Sequence, residues 1–164
     1  MSLAEKMERL ARLVPGVAGY QDKEKSRDTD KSIRMRLAAR LEELKRELEL
    51  DKRQMMEKKS LSLLSPLDRV ASQLDRLSNT VKYAARGYSS LFDGDRVDQK
   101  KLDELCAYDL QLMEELEVFR THGERVRATH GDETGQRQAI QDFSLALDGF
   151  ERVFSMRQSI LLAS

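Results

Sequence analysis

Asp93, Asp95 and Glu104 stand at the first, third and twelfth places of a calcium loop within the stretch GYSSLFDGDRVDQKKLDEL. Such a loop also needs an oxygen ligand at its fifth place and glycine at its sixth, where Val97 and Asp98 stand instead. Its eighth place, normally apolar, is Lys100. The pattern therefore predicts a turn followed by a helix, with Gly94 permitting the turn and Asp95 or Asp98 capping the helix. His122 and His130 are the only histidines, and neither follows a carboxylate at the three- or four-residue spacing that di-iron bundles use. Beside Gly123 and Gly131 they suit helix ends, where imidazole meets free carbonyl groups. Cys106 lies among Asp103, Glu104 and Asp109, whose charge opposes a thiolate, so it is expected in or near the core. No phosphate-cradling glycine loop, metal-ligand spacing or nucleophile elbow is present, and neither catalysis nor a cofactor is expected.

The chain has the size and balance of one ordinary domain: 164 residues, 35% of them charged, with 29 basic and 29 acidic side chains. Zero net charge gives no global field toward nucleic acid or a membrane, so any such contact has to be local. One cysteine cannot form an internal disulfide, and no apolar run reaches the roughly 20 residues that span a bilayer. The N-terminal MSLAEKMERLARLV alternates apolar and charged residues, unlike a signal peptide. A reducing, cytoplasmic setting is expected, with attachment to the inner face of a membrane as the alternative.

Apolar residues recur at spacings of three and four almost throughout, the helical period, and strand-like alternation is absent. Leu3, Met7, Leu10 and Val14 form a short amphipathic stripe that stops at Pro15 and Gly16. After the apolar-free QDKEKSRDTDKS, a seam of Ile33, Leu37, Leu41, Leu44, Leu48 and Met55 predicts one long helix over about 22–63. Ser65 as N-cap and Pro66 at the first helical position predict the next start, with Leu67, Val70, Leu74, Leu77 and Val81 as its seam. Two further helices carry Leu102, Leu105, Leu112, Leu116 and Phe119, with a kink expected at Gly123, and then Ile140, Phe143, Leu147, Phe150, Phe154 and Leu161. Arg157 interrupts that last seam. The expected fold is all-α: an elongated antiparallel bundle or coiled coil of about four main helices plus the short N-terminal one. Residues 1–19 are read as that helix and its linker, and 20–164 as a single bundle domain.

Three surfaces are candidates for contact with partners. Leu3, Met7, Leu10 and Val14 could cover a membrane interface, the bundle or a second subunit. Arg34, Arg36 and Arg40 form a basic group on the long helix, whose first residues, with Ile33 and Leu37, are expected to overhang its neighbours and present an exposed seam. Aromatic residues for base stacking are missing there, which disfavours nucleic acid. Tyr88, Leu91 and Phe92 gather apolar area at a connection, as a surface patch or as a plug for the bundle end.

LVPGVAGYQDKEKSRDTDKSIRMRLAARL and AARGYSSLFDGDRVDQKKLDELCAYDL resemble segments of small, uncharacterised bacterial helical proteins. The resemblance implies a bacterial, intracellular origin and carries over no binding or catalytic residue. The layout, a short amphipathic helix before long charged ones, is similar to that of the phage-shock class of membrane-remodelling proteins. Together these features lead to the expectation of a non-enzymatic scaffold or assembly protein whose partner is a second copy or another helical protein. The alternatives are a peripheral membrane protein using the N-terminal helix and a metal-binding bundle enzyme. No small-molecule substrate is expected.

Overall fold

A computed structural model describes residues 1–85 and 87–162. Five α-helices account for most of them: α1 Leu3–Leu13, α2 Lys23–Glu57, α3 Leu64–Lys82, α4 Gln99–Ala128 and α5 Glu133–Leu162. The chain is all-α, as its periodicity predicts. A 3-10 turn at Ser89–Leu91 and a minimal hairpin, β1 Phe92–Asp93 and β2 Arg96–Val97, fill the α3–α4 connection. The hairpin pairs Phe92 with Val97 and Asp93 with Arg96, and Gly94 takes the left-handed conformation its two-residue turn requires (φ 64°). Alternation over two residues is too short to register in a sequence.

Helix ends follow local chemistry, with two departures from expectation. Ser2 and Glu5 form a capping box on α1, Asp22 caps α2, and Asp98 caps α4 by accepting from the backbone N–H of Lys100 and Lys101. The long helix, however, stops at Glu57. Lys59 adopts φ 56°, its N–H donates to the Met56 carbonyl and that of Ser60 donates to Met55, the paired bonds of a Schellman end built on lysine where glycine is the usual residue. Helix α3 begins at Leu64 without a side-chain cap, so Ser65 is not its N-cap. Pro66 still sits in the first turn, where a missing N–H has no helical partner to lose. Gly123 does not break α4, which runs on to Ala128.

Four helices form a ring in the order α2, α3, α5, α4. Lys45 with Asp75 and Ser78 with the Ala38 carbonyl fix α2 and α3 antiparallel, and Arg125 with Asp142 and Arg157 with Asp109 do the same for α4 and α5. The other two neighbours run parallel: Gln73 meets Asp148 and Arg76 meets Glu151 between α3 and α5, while Arg127 meets Asp51 where α4 and α2 both end. The ring therefore combines two antiparallel and two parallel contacts. The cause is the connection between α3 and α4, whose described residues 87–98 cross the bundle end to reach α4. It is stitched to the end of α5, where Ser90 donates to the carbonyls of Ile160 and Leu161. Inside the ring, the seams named above form one core, centred on Phe119, Phe143 and Phe150.

The expected overhang is covered. At about 1.5 Å per residue, α2 reaches roughly 52 Å and α4 and α5 about 45 Å, and the surplus at the start of α2 is wrapped by the linker that follows α1. Thr29 accepts from the Ala18 N–H and donates to the Gly19 carbonyl, while Tyr20 inserts into the core. Gly16 and Gly19, at φ 91° and 93°, let the linker double back. Ile33 and Leu37 are consequently buried at 0% exposure, and the exposed seam expected there does not exist.

Candidate functional site

The stripe on α1 is spent inside the fold. Leu10 and Val14 are buried and Leu3 and Met7 half-buried against the same core, and Lys6 pairs with Asp103 of α4 at 2.7 Å. Arg36 is exposed, and Arg40 bonds Glu43 and Glu47 on its own helix. Arg34 is not on the surface at all. Its guanidinium is enclosed, so the three arginines do not form one basic patch. Tyr88 and Leu91 are buried and Phe92 half-buried, which makes this group the plug of the bundle end. The two sets read as separate surfaces meet in one place.

That place is a closed polar centre beneath the crossing connection. It holds Tyr20 from the linker, Asp30 and Arg34 from α2, Tyr88 from the connection, Asp109 from α4 and Arg157 from α5, all buried. Arg157 is the bridge: its Nε donates to Asp109 Oδ1 at 2.5 Å, its Nη2 to Asp30 Oδ1 at 2.7 Å and its Nη1 to Gln158 Oε1 at 2.7 Å. Arg34 Nε and the Tyr88 hydroxyl both donate to Asp30 Oδ2, at 2.8 and 2.7 Å, and the Tyr20 hydroxyl donates to Asp109 Oδ2 at 2.8 Å. Arg34 Nη1 turns to the carbonyls of Val81 and Lys82, at 3.3 and 2.9 Å, and so neutralises the negative end of α3. Arg34 Nη2 and Ser26 Oγ are buried without a protein partner. Two cations balance two anions. All four carboxylate oxygens are occupied, which is the condition under which a buried ion set is tolerated.

Titration follows from the same geometry. Burial works to raise the Asp30 carboxyl, but Arg157, the Tyr88 hydroxyl and Arg34 outweigh it and hold it below the usual carboxylate range. Burial pushes Asp109 up, against the pull of Arg157 and Tyr20. For Arg157 burial opposes the charge, yet Asp109 and Asp30 hold its proton more tightly than usual. Burial, then the neighbouring Asp109, raises Tyr20, and burial with the bond to Asp30 pushes Tyr88 up to about 12.

Each carboxylate predicts a different acid limb. Asp30, depressed, contributes stability above its unfolded value and loses it as pH falls; Asp109, raised, works in the opposite direction. The alkaline limb is unopposed. Both phenols are raised, so the folded state holds its protons above the unfolded value of 10.0, and stability is lost as pH climbs from there toward about 12. Tyrosinate absorbance at rising pH should show two of the four tyrosines ionising late and together with loss of helicity. Smooth ionisation of all four with the fold intact would show the centre to be open to solvent.

The residues that could have done chemistry elsewhere are placed otherwise. Asp93 and Asp95 are exposed on the hairpin, and Asp98 is occupied as a cap. His122 stacks on Phe143 at 5.7 Å, and burial lowers its affinity for a proton. His130 lines a concavity of about 200 Å³ at the far end of the bundle, with Asp51, Lys58, Arg127 and Gln136. Cys106 is buried against Met7, and burial followed by Asp109 and Asp103 pushes its thiol up. Among the described residues no group of three or more His, Cys, Asp or Glu side chains is placed to hold a metal, and no helix is long and apolar enough to cross a membrane.

Fold and centre together define a four-helix bundle with a fifth helix along α4, locked at one end by a buried ionic cluster. No protein-family model, curated protein or solved structure matches the chain.

Proposed function

We propose that the chain is a non-enzymatic helical scaffold or assembly component that acts through protein–protein contacts. The observation that carries this is the fate of the reactive groups: Asp30, Asp109, Arg34, Arg157 and both phenols are enclosed and bonded to one another. A substrate would have to displace those bonds to reach them. Such a centre serves to fix the relative positions of five segments, and rigid helices held in fixed positions are what a binding surface needs. Large apolar side chains stand exposed on the outer faces of three long helices, Leu50 on α2, Val118 on α4 and Leu145 and Met156 on α5. The membrane alternative draws no comparable support, since it requires α1 to leave α4, exposing Leu10 and Val14 and breaking the Lys6–Asp103 pair.

Crosslinking of the full chain in its native extract, followed by mass spectrometry, should return discrete protein partners, itself included, with linked lysines on the outer helix faces. Stoichiometric metal in the purified protein, or co-flotation with anionic liposomes in the absence of any protein crosslink, would overturn the proposal in favour of an enzyme or a membrane protein.

A further inference from the structure

Gly149 stands in the middle of α5, where glycine weakens a helix, and nothing in its own chain requires it. Its φ is not left-handed. A Cβ built there would meet only the Arg152 guanidinium, at 3.8 Å, an ordinary contact. The glycine also lies on an unusual face. From residue 138 onward Arg152 is the only charged residue among the fully exposed positions of α5, the others being glutamine, serine, leucine and methionine, while Asp142, Asp148 and Glu151 are half-buried and turned to α4 or α3. On α2 the exposed positions are mostly Lys, Arg, Asp and Glu. Leu145 and Met156 stand 59% and 46% exposed, one turn before Gly149 and two turns after it, and Tyr108 of α4 leans on Met156 at 3.9 Å. Depletion of charge around exposed large apolar side chains is the composition of an interface centre.

We infer that this face is a homodimer interface in which α5 packs antiparallel on α5 of a second copy, crossing at Gly149. The inference rests on the scaffold reading and names its partner. The face is complementary to itself: a two-fold axis between Phe150 and Glu151 sets Leu145 of each copy against Met156 of the other. The same axis carries each Arg152 over the other copy's Gly149, beside Asp148. Opposite charges meet twice, each Arg152 standing one residue along the axis from the other copy's Asp148 while the two arginines stand three residues apart, and the missing Cβ provides room for the arginine stem. Each contact occurs in both directions, as an isologous pair demands. The partner face need not come from α2, whose seam residues Ile33 and Leu37 are interior.

Sedimentation velocity over a concentration series of the full chain at low salt tests this. The wild type should move from 18.9 kDa toward twice that mass. Leu145→Glu with Met156→Glu, both at exposed positions, should leave circular dichroism unchanged and weaken association at least ten-fold. Arg152→Glu should weaken it, and adding Asp148→Arg should restore it. Gly149→Gln should raise the thermal midpoint of the diluted monomer while weakening the dimer, opposite signs that a glycine needed only by its own fold cannot give. A wild type monomeric at every concentration overturns the dimer, and if crosslinking still finds a different protein, the scaffold proposal stands without it. A dimer indifferent to these substitutions overturns the α5 interface.

Discussion

Arg157→Ala should destabilise the fold by about 3–5 kcal/mol, because it leaves two buried carboxylates facing each other with no cation between them. Asp109 would keep only the Tyr20 hydroxyl, and Asp30 only Arg34 and the Tyr88 hydroxyl. The measurement is a urea midpoint by circular dichroism at neutral pH, repeated at mildly acid pH. Protonating Asp109 relieves part of the repulsion, so the variant should lose less relative to wild type in acid. Replacing Arg157, Asp109 and Tyr20 together by apolar residues of similar volume should cost much less than the single change, since no charge is then stranded on that side. A single variant within about 1 kcal/mol of wild type would mean that water reaches the cluster.

Leu77→Asp should be as severe. Leu77 is 1% exposed in the middle of α3, the most regular seam in the chain, and its neighbours Leu74 and Val81 are equally enclosed. A carboxylate there finds no cation, and the combined loss of apolar burial and gain of an unpaired charge places the cost at roughly 4 kcal/mol or more, a large part of an ordinary domain's stability. Far-ultraviolet circular dichroism should show a partly or wholly unfolded chain at neutral pH. Leu77→Met, which conserves volume, should cost under about 1.5 kcal/mol. An aspartate variant with a native spectrum and midpoint would show that α3 does not face the core.

The helices were legible because their signal is local. Residues three and four apart decide a seam, so the core of α3, α4 and α5 can be read from the chain, as can a cap at Asp95 or Asp98, of which the structure uses Asp98. Two kinds of feature were not local. Arg34 has Lys31 and Arg36 as sequence neighbours and looks like part of a basic surface; its real partner on α2 is Asp30, and its burial depends on Tyr88 and on the end of α3. Tyr88 is an aromatic residue in a connection, and only the phenol–carboxylate bond across 58 residues shows why it is interior. One sign was present: Arg157 occupies a seam position of α5, and Asp109 lies between seam residues of α4. A cation and an anion, each where an apolar residue belongs, on helices expected to pack together, describe a buried pair. Tyr20 gave no such sign, because its position depends on how the linker folds back.

The polar centre joins residues 20, 30, 88, 109 and 157, so its members are made far apart in time as well as in sequence. During synthesis α2 and α3 can pair early, since one short turn joins them. Asp30 then has Arg34 and, somewhat later, Tyr88, but Asp109 emerges with no cation until Arg157 follows 48 residues behind it. Until α5 is in place, both the counter-ion of Asp109 and the wall that encloses it are missing, so the polar centre cannot close. Arrival of one guanidinium changes that balance. Helix α5 both completes the apolar core and supplies the charge that allows the bundle end to close, so the two tasks fall to one segment.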